Sequence, residues 1–395
     1  MTKRLLYVTG TRADYSPMRS LLGTLAGDRE FELNLIVTGM HLMSEYGRTL
    51  EIIEADGLRI LTQIPMLESG DAPTSMVAAM ANLMRALVKI LADERPDGLM
   101  VTGDRGEMLA ASICGAHLNI PVLHFCGGSV SGSIDDSIRH AITRFAHLHF
   151  PATKQSLDNL IRMGEDPKAC FLVGLPGADL LSDAVLAHSE LERILGFGLD
   201  DKYVVILQHP VIFEYEQAGE QIAATIEATL PFGLQTIVFT PNSDSGSQAM
   251  VNAISLFRSS KNRVHVIDNL PRQAFASLLL NCAALIGNSS CGVAEAVSLG
   301  IPVVNIGTRQ RGRERMGNTI DVGYCVEEIR RGIHQALHSE AYLEKLTKCH
   351  NNYLVRGTEQ RTLDIIKELD LQSFVPKRQL WPGTVSNSLR RESHL

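Results

Sequence analysis

The chain has 395 residues, more than one ordinary core accommodates, so length alone favours two domains. Its 45% hydrophobic and 21% charged residues suit a globular protein, and a formal net charge of −7 argues against a nucleic-acid partner. Seven scattered cysteines, an odd number with no CxxC pair, argue against a disulfide scaffold and for a reducing cytoplasm. The opening MTKRLLYVTG reaches Gly10 too soon for a signal peptide. No apolar run reaches the roughly 18–20 residues that a membrane span needs. The expectation is a cytoplasmic protein with no membrane partner.

In chain order, short apolar and β-branched runs alternate with helical patterns. Strands are expected at 4–9, 33–38, 98–102, 121–125, 148–150 and 170–173 in the first half. In the second half they are expected at 203–208, 236–240, 264–268, 284–287 and 302–307. Helices are expected between them, among others over 74–94, 105–118, 136–147, 219–229 and 272–281. Continuous apolar strands separated by helices predict parallel sheets covered on both faces. The pattern occurs twice, so the fold class is α/β, with two doubly wound Rossmann-like domains facing a cleft. The division is placed at 1–180 and 181–364, inside a connection over 175–201. The polar last stretch, with two prolines, is expected to be mobile in large part.

Ligands of open α/β sheets bind beyond the carboxyl ends of the strands, which singles out a few polar segments. In GNSSCGVAEAVSLG, Gly287 closes a strand, Ser289 and Ser290 can cap the next helix, and Gly292 lets backbone approach a ligand. Helix-start N–H groups and two hydroxyls there suit a phosphate, although an ordinary N-cap has the same spacing. Arg309 follows the next strand and can add a bidentate donor; taken alone it reads more readily as a surface arginine. TGTRADYS holds Arg12 and Ser16 but lacks both the GxGxxG spacing and the Walker lysine. There Arg12 also reads as a turn residue pairing with Asp14. In TGDRGE, Asp104 is an acid/base candidate or a helix cap, with Arg105 beside it. His209 stands where a strand leaves its sheet and can donate to a phosphate or move a proton. The cluster His140, His147 and His149 has neither an HExxH pattern nor carboxylates at matching spacing, so no metal site is expected. HFCGGSVSGSIDDSIRH, residues 124–140, ends a buried strand and leads to Asp135 and Asp136.

Taken together, TGTRADYS, TGDR, GGSVSGSIDDSIRHAITRFAHLH, QHPV, PNSDSGS and IGNSSCGVAEAVSLGIPVVNIGTRQRGR resemble the hydrolysing UDP-N-acetylglucosamine 2-epimerases of sialic-acid biosynthesis. The resemblance extends to the epimerase half of the animal bifunctional epimerase/kinase and covers residues 9–313. It implies a fold like that of GT-B glycosyltransferases, with a UDP-sugar between the domains. It implies UDP contacts from Arg12, Ser16, Arg105, His209, Asn242, Ser289, Ser290, Glu295 and Arg309, with Ser247 and Gly292 in the same segments. A C-terminal helix near 352–369, with a segment over about 365–395, would return to the first domain. Homodimers or homotetramers and no cofactor are also implied.

The implied chemistry is loss of the proton at sugar C2 with departure of UDP from C1. Hydration of the resulting glycal gives the C2-inverted free sugar. The implied acid/base groups are Asp104 and Asp135, with Asp136 adjacent and a glutamate between the two. Here the sequence departs: the family run HIEGGE is HFCGGS, so that glutamate is Cys126 and the next is Ser129. The readings left open are a Cys126 thiolate base, proton transfer by Asp104 or Asp135 alone, a lyase or dehydratase acting on a nucleotide or nucleoside, and a catalytically silent nucleotide-binding protein. A GT-B glycosyltransferase ranks below these, because IDDSIRH combined with GNSSCG points to epimerases.

Overall fold

The structure, a computed structural model, describes residues 2–44, 49–67, 70–178, 185–258 and 263–380. The expected domain boundary at 180/181 and the tail 381–395 lie outside the described residues. One sheet holds β1 (Lys3–Thr9), β2 (Phe31–Thr38), β3 (Ile60–Ile64), β4 (Gly98–Thr102), β5 (Val122–Phe125) and β6 (Leu148–Phe150). The other holds β7 (Tyr203–Leu207), β8 (Gln235–Phe239), β9 (Val264–Ile267), β10 (Ala284–Gly287), β11 (Val303–Ile306) and β12 (Thr319–Val322). Their spatial orders are β3-β2-β1-β4-β5-β6 and β12-β11-β10-β7-β8-β9, the same doubly wound arrangement twice. Every pairing is parallel.

Central strands are buried on both faces, which is why they read as unbroken apolar runs. Leu5, Leu6, Tyr7 and Val8 of β1 alternate between two cores, one on each side of the sheet. The edge strands β3 and β12 escape the sequence reading for the opposite reason. ILTQI and TIDV are half-exposed, so no apolar run marks them. The strand expected at 170–173 does not form: beyond one bridge from Cys170 to His149, the chain leaves the sheet.

The first sheet is covered by α1 (Arg12–Ala26), α2 (Leu50–Ala55), α3 (Pro73–Glu94), α4 (Gly106–His117), α5 (Ile134–Phe145) and α6 (Lys154–Arg162). The second carries α7 (His188–Leu195), α8 (Ala218–Thr229), α9 (Ser247–Phe257), α10 (Arg272–Leu280), α11 (Ser290–Ala294), α12 (Val326–His338) and α13 (Glu340–Leu346). The last helix, α14 (Thr358–Glu368), packs on α1. It places Leu363 and Ile366 in a core with β1 and β2, and Lys3 Nζ donates to the carbonyls of Ile366 (2.7 Å) and Leu369 (2.9 Å).

One departure concerns α3. Among the described residues it is the one helix long and apolar enough to cross a bilayer by length and composition, contrary to the sequence reading. It buries a single stripe, Ala79, Leu83, Leu87 and Leu91, spaced four apart as a helix packed on a sheet requires.

Candidate active site

The carboxyl ends of both sheets face a common cavity of about 290 Å³. The loops after β1, β4 and β5 bring Arg12, Ser16, Asp104, Arg105, Cys126 and Asp135 to its wall. From the other side, the loops after β7, β8, β10 and β11 bring His209, Asn242, Ser289, Ser290, Glu295 and Arg309. Each sheet reverses strand order at its centre, between β1 and β4 or between β7 and β10. The loops diverge there and leave room for a ligand.

Three expected residues do not line the cavity. Asp136 accepts the Ser131 backbone N–H (2.8 Å) and approaches Arg139 and His140, so it pins the loop that leads into α5. Ser247 opens α9 and donates to Asp71. Gly292 does not face a ligand: a Cβ there would stand 2.9 Å from the Val303 side chain, so its small size serves helix–strand packing. Ser289 does both things the sequence offered, capping Cys291 N (3.3 Å) and lining the cavity. Arg12 does not pair with Asp14. It crosses to the Asn269 side chain and the Asp268 carbonyl, while Asp14 is taken by Thr9, Thr11 and the backbone before α1. The histidine cluster is structural: His147 Nδ1 accepts from Val122 N, and His149 meets Glu165.

The loop carrying Cys126 is pinned at several points. Cys126 has φ +60°, in the left-handed region that non-glycine residues seldom adopt, and its N–H donates to the Phe150 carbonyl (3.0 Å). Asn159 holds the Gly128 carbonyl (2.9 Å) and Arg139 holds that of Ser129 (2.9 Å). Gly132 N donates across the cleft to the Arg309 carbonyl (2.9 Å). Further bonds close the cleft: Arg105 to Asp244 (2.8 Å), Arg309 to Asp135 (3.2 Å) and Arg272 to the Ser16 carbonyl (2.9 Å).

These charges separate the two carboxyls electrically. Burial opposes ionisation of Asp104, but Arg139 and Arg313 beside it outweigh that and hold it at about 2. Asp135 is pushed upward by burial and by the Asp104 charge, against the pull of Arg309. One carboxyl is therefore held ionised while its neighbour binds a proton more readily than an ordinary aspartate, the pattern of an acid/base pair. Burial, with Arg309 nearby, lowers His209 to about 3. Its Nδ1 accepts from Asn242 N (3.3 Å), so the neutral ring carries its proton on Nε2 as a donor. Burial lifts the Cys126 thiol to about 12, leaving it neutral near pH 7.

The sequence reading missed several wall residues. Arg139 is wholly buried and ion-paired with Asp104; it follows Asp135 by four residues on α5, so the helical period could have revealed it. Arg313 follows Arg309 by four in the loop after β11, and Arg272 opens α10. Tyr353 arrives from the connection before α14, and no local pattern announces it.

The sequence model of the UDP-N-acetylglucosamine 2-epimerase family matches residues 24–367. The chain belongs to that family. It is 37% identical over 376 residues to a UDP-N,N'-diacetylbacillosamine 2-epimerase (hydrolyzing) from Legionella pneumophila, covering 95% of this chain and 98% of that one. It is 33% identical to a GDP/UDP-N,N'-diacetylbacillosamine 2-epimerase (hydrolyzing) from Campylobacter jejuni, over 81% of this chain and 85% of the relative. Among solved structures, UDP-GlcNAc 2-epimerase from Neisseria meningitidis bound to UDP-GlcNAc superposes with a TM-score of 0.78 at 19% identity. That match covers 93% of this chain and all of the other, and supports the two-sheet, GT-B-like fold of this epimerase family member.

Proposed function

We propose that this family member is a hydrolysing UDP-sugar 2-epimerase. It would act on UDP-N-acetylglucosamine or a related UDP-linked acetamido sugar, releasing UDP and the C2-inverted free sugar. The observation that carries this reading is the opposed pair Asp104 and Asp135 on the wall that faces the donor-rich wall of the second sheet. Residues 1–180 would hold the sugar and the acid/base groups, and residues 181–364 would supply most of the UDP contacts. The names of the relatives favour the same chemistry.

In the first step a carboxylate removes the C2 proton. The C2–H electrons form the C1=C2 double bond, and the C1–O bond pair leaves with UDP. Arg12, Arg309 and the Ser289 and Ser290 hydroxyls would offset the charge growing on the diphosphate, with His209 Nε2–H as a neutral donor. Arg105 and Asn242 now engage Asp244, and would turn to the nucleotide as it enters. Glu295 and Ser16 would contact the uridine. In the second step water adds its oxygen to C1 and gives up a proton to a carboxylate, while C2 takes a proton from the opposite face. Asp104 suits the base and Asp135 the acid. Cys126 is a poor base because its thiol stays protonated.

The test is incubation with UDP-N-acetylglucosamine in heavy water, followed by proton NMR. UDP release with deuterium at C2 of free N-acetylmannosamine is expected. An accumulating glycal would point instead to a lyase, and saturable UDP binding without turnover to a silent binder.

A further inference from the structure

Along the cavity, five of the six wall arginines donate to a protein acceptor. Arg12 donates to Asn269, Arg105 to Asp244, Arg139 to Asp104, Arg272 to two carbonyls and Arg309 to Asp135. Arg313 differs. Its side chain is 12% exposed, its Nε is buried without a partner, and its nearest carboxylate, Asp104, stands 3.9 Å away and is already bonded to Arg139. A buried guanidinium without an acceptor is costly, which implies that its acceptor arrives with the ligand.

The surroundings say which acceptor. The Tyr353 ring is 3% exposed and lines the cavity, and its hydroxyl has no hydrogen-bond partner among the described residues. Tyr353 packs in a small apolar cluster with Ala152 and Ala294, against Leu175, Met316 and Cys126. The backbone bond from Cys126 to Phe150 anchors the thiol within that cluster. This end of the cavity therefore offers two donors beside an apolar wall. A group with one carbonyl oxygen and a methyl matches it: the oxygen accepts from Arg313 and Tyr353, and the methyl meets Ala152 and Leu175. A carboxylate matches less well, because the Asp104 carboxylate already stands 3.9 Å from Arg313 at the same end.

We propose that Arg313, Tyr353 and Cys126 form an acyl-recognition subsite that selects nucleotide sugars bearing a second N-acyl group. The subsite rests on the epimerase reading only in taking the Cys126 end as the sugar end. With a glutamate at position 126, the carboxylate would engage Arg313 and fill the subsite from the protein's own side. With cysteine there, the donor is left for the substrate.

The test compares UDP-N-acetylglucosamine, UDP-N,N'-diacetylbacillosamine and the C6 uronate of UDP-N-acetylglucosamine as substrates of the full chain, reading UDP release. The diacetylated sugar is expected to show the highest kcat/KM. Arg313→Met should raise its KM about 10- to 100-fold, the scale of one charge-assisted hydrogen bond. Any change acting through Asp104 should appear in kcat and be shared by all three sugars. Tyr353→Phe should raise the same KM to a smaller extent, and Cys126→Glu should reduce the preference for the diacetylated sugar. Equal KM effects on the mono- and diacetylated sugars, or a preference for the uronate, would overturn the proposal. Absence of turnover with all three would fail the epimerase reading, and calorimetric affinity would then decide the subsite. Tighter binding of the diacetylated nucleotide, lost in Arg313→Met, upholds it, and equal affinities overturn it.

Discussion

Asp104 and Asp135 share one wall of the cavity, and the arginines around them decide which is ionised. Replacing Asp135 by Asn should lower kcat by about 10²- to 10⁴-fold, the range of one acid/base group, while calorimetry still shows UDP binding. The pH dependence has a definite sign. Asp104 remains ionised down to about pH 2, so it contributes no acid limb in the usual range. Asp135, raised by burial and by Asp104, loses its proton as pH rises, so kcat should fall on the alkaline side. In Asp104→Asn the charge that raises Asp135 is gone, and the residual activity should show that limb at lower pH; a limb that stays put would separate the two groups. His209, neutral above about pH 3, should leave the affinity of Asp104→Asn for UDP-N-acetylglucosamine flat between about pH 5 and 8, as calorimetry can read.

At the scale of elements, the segment after α14 returns to the first sheet. Leu380 N donates to the Gly164 carbonyl (2.8 Å), and Lys377 Nζ reaches Glu165 (2.6 Å). Glu165 is 1% exposed and also meets His149 (3.0 Å) and Arg144 (3.0 Å). Removing one partner of such a buried cluster typically costs about 3 kcal/mol, so Lys377→Met should lower the urea midpoint markedly at pH 7. Burial works against the Glu165 charge, but His149 and Lys377 bring its carboxyl below the ordinary value. A depressed carboxyl contributes stability above its unfolded pKa of about 4.3 and loses it as pH falls through the folded value. The gap between wild type and Lys377→Met should therefore narrow below about pH 4.

Across the whole molecule, the two sheets meet through contacts that close the cavity. At Gly132, which donates to Arg309, an added Cβ would collide with the Thr308 carbonyl oxygen. Gly132→Ala should hold the cleft more open, with a larger radius of gyration by X-ray scattering. It should also raise KM for the UDP-sugar about tenfold, equivalent to about 1.4 kcal/mol. The thermal midpoint should move little, because neither core loses a contact; a large drop would place Gly132 in a core after all.

Central strands such as β1 and β7 announced themselves because burial on both faces demands unbroken apolar runs. The loops at their ends were equally legible, because a polar cluster after such a run has to face the carboxyl edge of a sheet. Edge strands β3 and β12 were silent, since a half-exposed strand carries no apolar signature. The same local logic put Gly292 at a ligand, where packing on Val303 claims it, and left Asp135 and Asp136 unranked. By itself the sequence determined the two doubly wound halves and most of the cavity wall, because local pattern and strand-end geometry depend on neighbours in the chain. Only the tertiary structure decided that Asp135 faces the cavity while Asp136 pins the loop before α5, and that Arg139 and Arg313 hold Asp104 ionised. It also left Arg313 beside Tyr353 without an acceptor. Those outcomes depend on burial and on charges brought together from distant segments, and no spacing along the chain encodes them.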